Sequence, residues 1–222
     1  MRRRSTRRCA TWLAWLGSVT QTLLVLALIV VVACSTATPQ APPATVDQAG
    51  VSAADVHFMI GMIHHHAQAV LMAGWAPSHD ASPALRALCE RIVVGQRDEI
   101  ELMQRWLRER HQTVPDADVS SGHAMPGMDH SMLTPGMLTP EQLAQLDGAR
   151  GPAFDRLFLT FMIQHHRGAL AMVRALVDTP GAARDGPLFQ IASDVSADQT
   201  TEIDRMTRML AALSQPSQRS PQ

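Results

Sequence analysis

Two short stretches of the chain carry side chains able to hold a soft metal ion. Met62-Ile63-His64-His65-His66 is followed at a helical interval by Met72, and Met162-Ile163-Gln164-His165-His166 is followed in the same way by Met172. Imidazole and thioether donors suit copper, above all Cu(I), and silver. The two stretches are one pattern written twice. Asp55, Phe58, Met62, Ile63, His65, His66, Ala69 and Met72 recur as Asp155, Phe158, Met162, Ile163, His165, His166, Ala169 and Met172. A second pair of segments also matches, with Gln96, Glu99, Ile100 and Met103 recurring as Gln199, Glu202, Ile203 and Met206. Repeats of this kind are similar units that bury their faces against one another.

Helical spacing orders these residues. Phe58, Met62, His65, Ala69 and Met72 follow alternating steps of four and three, the seam of a helix that faces a bundle interior. His65 lies on that seam and His66 at its shoulder, and His165 and His166 repeat the arrangement. On the partner segments the seam takes Gln96, Glu99 and Met103, then Gln199, Glu202 and Met206. The interior of each hairpin therefore offers His, Glu, Gln and several Met. Burying imidazole and carboxylate is costly unless they are paired or bind a metal. Two readings stay open. In one, Glu99 pairs with a His and the polar groups satisfy each other as a buried network. In the other, a metal draws on His65, His66, Met62, Met72 and Met103 in the first half and His165, His166, Met162, Met172 and Met206 in the second. Gln96, Gln199, Glu99 and Glu202 then support the site.

A further cluster lies between the halves. GHAMPGMDHSMLTPGM holds His123, Met125, Met128, His130, Met132 and Met137, broken by Gly and Pro. Exposed methionines gain nothing from packing, so ligation is one explanation and a loop docked over the bundle is the other. His57, His64 and His79 add donors near the first helix, and His111 suits a helix C-terminus, where a positive group meets the dipole favourably.

The elements that must position these residues are helical. Ser52 or Asp55 can cap a helix that runs to about Trp75. A second helix extends from Pro83 to about His111, with proline tolerated in its first turn. Thr139-Pro140-Glu141 starts a short helix to about Leu146. Long helices follow over about Pro152–Val177 and Leu188–Leu213. There is no Tyr, and the β-branched residues fall in helical periods. The expected fold is all-α, a four-helix bundle at 51–214, with hairpins 51–111 and 152–213, a crossover 112–151 and a disordered tail 215–222.

The N-terminus has another purpose. Five arginines precede an apolar run that ends Val31-Val32-Ala33-Cys34, the layout of an export signal. Its end resembles the bacterial lipobox, in which the cysteine, here Cys34, is lipidated. Residues 1–33 then form the signal and 34–50 a Pro/Ala/Thr-rich tether. An uncleaved signal anchor and simple secretion are the alternatives, and all three put the domain outside the cytoplasm. Loss of Arg2, Arg3, Arg4, Arg7 and Arg8 leaves 14 Arg against 20 acidic residues, a charge of −6 with no basic stripe for nucleic acid. Cys89 alone remains in the domain, so no internal disulfide is available. Its apolar helical setting suggests packing.

The paired Met-Ile-x-His-His-x-x-Ala-x-x-Met segments at Met62–Met72 and Met162–Met172 resemble the family catalogued as domain of unknown function 305. The Gln-x-x-Glu-Ile-x-x-Met helices and the Met125–Met128 loop, Met-Pro-Gly-Met, are similar as well. The resemblance implies a ferritin-like four-helix fold, an exported location and, for some members, copper binding with copper or silver tolerance. No enzymatic activity is established for the class. His64, where the second half has Gln164, departs from the repeat and makes the halves unequal. The expected function is extracytoplasmic sequestration or delivery of copper or silver, exchanged with a metal-donor or metal-acceptor protein. A structural or adaptor lipoprotein is the first alternative. A ferritin-like di-iron or di-copper oxidase is the second, but di-iron bundles of that type use Glu-x-x-His on two helices, and none occurs on these helices.

Overall fold

The computed structural model describes residues 50–117 and 134–214. The export signal, Cys34, the tether, the tail from 215 and the crossover residues His123, Met125, Met128, His130 and Met132 lie outside the described residues. Among the described residues there is no strand. Five α-helices follow one another: α1 Ala53–Gly74, α2 Pro83–Glu109, α3 Pro140–Asp147, α4 Gly151–Asp178 and α5 Gly186–Leu213. None of them is long and apolar enough to cross a membrane.

Local chemistry sets where each helix begins. The Ser52 side chain accepts from the Asp55 N–H, and Asp55 returns the bond to the Ser52 N–H, a capping box. Thr139 and Gln142 make the same exchange at the start of α3. Ser82 caps α2 and Asp185 caps α5. Pro83, Pro140, Pro152 and Pro187 occupy first turns, where the missing N–H costs nothing. α2 stops at Glu109, short of His111, which follows the cap in a left-handed conformation.

The four long helices pack as two hairpins, α1 on α2 and α4 on α5, and the hairpins meet mainly along α1 and α4. Two apolar cores result. One gathers Met72 from the end of α1, Leu88 and Ile92 from α2, Phe154, Phe158 and Met162 from the start of α4, and Met206 from α5. The other gathers Phe58 and Met62 from the start of α1, Met103 and Leu107 from α2, Leu176 from the end of α4, and Leu188 and Val195 from α5. Each core takes one end of α1 and the opposite end of α4, so these two helices run antiparallel. Side chains of this size stabilise by about 1.5–3 kcal/mol each when fully buried.

The hairpins also hold each other by polar bonds. Asp55, in α1, accepts from the Ala183 N–H in the turn of the second hairpin at 2.8 Å. Its repeat equivalent Asp155, in α4, accepts from the Ser82 N–H in the turn of the first at 3.2 Å. A third tie joins the end of α2 to the start of α5. Trp106 Nε1–H and an Arg110 guanidinium N–H each donate to Asp185 at 2.7 Å, and the Arg110 guanidinium lies 4.3 Å from the Trp106 ring centre.

Candidate metal centre

The antiparallel crossing of α1 and α4 brings the two histidine pairs together midway along both helices. The His65 and His165 rings lie 3.8 Å apart, centre to centre. His65, His66, His165 and His166 are all essentially inaccessible. The shoulder position expected for His66 and His166 is not observed, because each is as deep as its seam neighbour and reaches across to the second helix of its own hairpin. His66 Nε2–H donates to Glu99 Oε2 at 2.8 Å, and His166 Nε2–H donates to Glu202 Oε2 at 2.6 Å. The two carboxylates, 14% and 22% exposed, stand between the imidazoles and solvent. With Gln96, Asp198 and Gln199 they line a cleft of about 270 Å³ between α2 and α5. Burial, then the charges of Glu99 and Glu202, raises the Asp198 carboxyl above its usual range.

Burial governs the charge of His65, His165 and His166. It is the largest influence on His65, which it holds down to about 3, with His66 and His166 adding to it and a bond to the Pro135 carbonyl opposing it. His165 is pushed well below the usual imidazole range by burial and by the other three rings. His166 is lowered too, since burial outweighs the pull of Glu202. These rings are neutral near pH 7, and a neutral imidazole has a lone pair to give. Nδ1 of His65, His66 and His166 and both nitrogens of His165 are buried with no hydrogen-bond partner in the protein. The same holds for both amide atoms of Gln96, Oε1 of Gln199 and Oε1 of Glu99. Buried polar atoms are ordinarily paired, so this concentration needs a chemical explanation.

The methionines named from the sequence flank this layer. Met62 and Met103 lie in one core and Met72, Met162 and Met206 in the other, all fully buried. Met172 is only partly buried beside the core that holds Met62. Its methyl carbon stands 3.4 Å from where a Cβ on Gly61 would lie. Among the described residues, no three His, Cys, Asp or Glu side chains stand where together they could hold a metal ion.

Three other residues fall away from the site. His79, expected as a further donor, is a structural residue. Its Nε2 bonds Asp147 at 3.0 Å, its Nδ1 lies 2.9 Å from the Ser78 hydroxyl, and its ring packs between Trp75 and Phe154. His57 is exposed. Cys89 is buried, and its thiol is pushed up to about 12, first by burial and then by Asp155, which suits a packing residue. His64 is partly buried with Nδ1 unpartnered.

Sequence reasoning missed how the end of the crossover covers the site. Residues 134–138 form a strap across α1 and α4. The Pro135 carbonyl accepts from His65 Nε2–H at 3.1 Å. Gln68 bonds both backbone groups of Leu138, donating to its carbonyl at 3.1 Å and accepting from its N–H at 2.8 Å. Gly136 takes φ +82°, and a Cβ on Gly168 would stand 1.8 Å from the Pro135 oxygen. Gln68 and Gly168 occupy equivalent places in the repeat. Their difference was the available signal, since one holds the strap and the other makes room for it. Met137, read as ligand or docked loop, is buried here as part of the docked strap.

Buried imidazoles backed by carboxylates, at the crossing of two duplicated helix hairpins, define an all-helical domain with a polar heart. The signature of the Domain of unknown function (DUF305) family matches residues 55–210, and the chain belongs to that family. Its structure is similar to that of a DUF305 protein from Streptomyces coelicolor described as secreted, with TM-score 0.61 and 25% identity, covering 74% of this chain and 95% of that one. It is also similar to CopM, solved in Cu(I)-bound, Cu(II)-bound and Ag-bound forms. The Cu(I) form gives TM-score 0.55 and 26% identity, covering 72% of this chain and 98% of CopM. A 56-residue stretch is 34% identical to the uncharacterized protein L153 of Acanthamoeba polyphaga mimivirus, and the match spans only 37% of that relative's length.

Proposed function

We propose that this domain captures copper or silver, outside the cytoplasm, through His65, His66, His165 and His166. One observation carries the reading: five ring nitrogens of these four side chains are buried without a partner in the protein. An unpaired buried polar atom costs roughly 1–3 kcal/mol, a penalty that a bound cation offsets. Neutral imidazoles beside thioether-rich cores suit a soft ion. Because no three His, Cys, Asp or Glu side chains among the described residues stand where together they could hold an ion, the site we propose also requires sulfur donors. We include Met62, Met72, Met103, Met162, Met172 and Met206 in that donor set, together with His123, Met125, Met128, His130 and Met132 of the crossover. Glu99, Glu202, Gln96 and Gln199 support it.

CopM's copper- and silver-bound forms support the choice of ion. The secreted relative supports export. We further propose a ferritin-like four-helix bundle, a lipid anchor at Cys34 and exchange with a metal-donor or metal-acceptor protein, so that the domain sequesters or delivers its ion at the membrane surface. A structural or adaptor role is the competing reading, favoured by the two closed Glu–His bonds.

Titration of the domain from Val51 onward with Cu(I), against a competing chelator, separates the two. The wild type binds, and a variant with His65, His66, His165 and His166 all changed to Ala, shown to remain helical, loses that binding. Equal binding by both sinks the imidazole reading. Iron-dependent oxygen consumption with a reductant would identify the oxidase instead.

A further inference from the structure

We infer that Glu99 and Glu202 are positioning residues that decide which ring nitrogen of His66 and His166 meets the metal, and that this nitrogen is Nδ1. The inference rests on the copper or silver reading above and concerns these two rings.

A carboxylate can only accept, so the ring nitrogen bonded to it carries the proton. His66 Nε2 and His166 Nε2 are committed in this way at 2.8 and 2.6 Å. An imidazole that binds a metal does so through the nitrogen without a proton, and with Nε2 protonated that nitrogen is Nδ1 in each ring. Both Nδ1 atoms are buried and unpartnered. Ligation through Nε2 would break the bond to Glu99 Oε2 and leave that carboxylate wholly unpaired, because its Oε1 already lacks a partner. Ligation through Nδ1 breaks nothing.

His65 reaches the same state by a separate device. Its Nε2–H donates to the Pro135 carbonyl, again leaving Nδ1 open. Only His165, unpartnered at both nitrogens, has no fixed tautomer. Three rings are thus set alike by three acceptors, one of which lies outside the repeat. An outer acceptor on a metal-bound histidine fixes ring orientation and raises ligand basicity.

The test reads each ring nitrogen by long-range proton–nitrogen NMR on the full chain in detergent, labelled with nitrogen-15, with silver nitrate as the probe. Without silver, His66 and His166 carry the proton on Nε2. With silver, their Nδ1 resonances move and Nε2 stays protonated. A proton on Nδ1 in the metal-free protein, or a silver-induced change at Nε2, overturns the inference. Movement confined to His65 and His165 also overturns it and leaves the copper or silver reading standing. If no imidazole moves, that reading fails and takes the inference with it. Glu99→Gln and Glu202→Gln keep an acceptor oxygen and should weaken silver binding roughly 10- to 100-fold with the Nδ1 signature intact. Glu99→Leu and Glu202→Leu remove it, and His66 and His166 should then populate both tautomers. A purely structural role would change stability and leave the tautomers unmoved. Should the leucine variants fail to fold, the wild-type spectra decide alone.

Discussion

At the scale of single residues, the histidines make the domain sensitive to acid. An unfolded histidine titrates near 6.5, whereas His65 in the folded protein titrates at about 3. Between those values the unfolded chain binds more protons, so stability rises with pH and is lost as pH falls below 6.5. By pH 5 His65 alone costs roughly 2 kcal/mol, and His165 and His166 act in the same direction. The melting temperature of the metal-free domain should therefore fall steadily from pH 7 to pH 5. The slope should be shallower in His65→Gln. A midpoint that does not change with acid, or that rises, contradicts the burial of neutral rings. The identity of these residues was legible in the sequence, because His and Met recur together at seam spacing. Their depth was not. Spacing along one helix places His66 at a shoulder, and only the register between α1 and α2 reveals that Glu99 draws it inward.

At the scale of elements, the strap and the turn contacts are the parts on which single changes should tell most. Gly168→Ala drives a methyl group into the backbone carbonyl of Pro135. Overpacking of this kind costs typically 1–3 kcal/mol, although alanine is intrinsically the better helix former. Chemical denaturation should show a net loss of that size, and an unchanged or raised midpoint would mean the strap is not docked. Asp185→Ala removes acceptors from Trp106, Arg110 and the Leu188 N–H together. A loss of about 2 kcal/mol is expected, readable from the same denaturation curves.

Helix positions were readable from caps, first-turn prolines and apolar periods, and α1 through α5 begin and end within a few residues of expectation. The strap was hidden for a physical reason. Met137 and Leu138 bury their side chains, but the bonds that fix the strap to α1 are made to its backbone groups, which leave no pattern in side-chain types. The one clue, Gln68 against Gly168, looks like decay of the repeat.

At the scale of the molecule, the two halves are interdependent. Asp55 and Asp155 each secure the turn of the opposite hairpin, and both apolar cores draw on all four long helices. Unfolding should accordingly be a single cooperative transition. Asp155→Ala, which leaves the α1 capping box intact, should lower the stability of both hairpins equally. Hydrogen exchange that protects one hairpin while the other opens would contradict this. Silver, if held at the crossing of α1 and α4, should raise the melting temperature of the whole domain, by about 2.7 kcal/mol of added stability at one hundred times its dissociation constant.

The exchange of acid and turn has a consequence for ancestry. What Asp55 gives to the second turn, Asp155 gives back to the first, so a lone hairpin would meet the complement of each contact in a second copy of itself. A symmetric homodimer of such hairpins would place two identical histidine pairs on its axis, and fusing the two chains would supply one new piece, the linking segment from which the strap could be drawn.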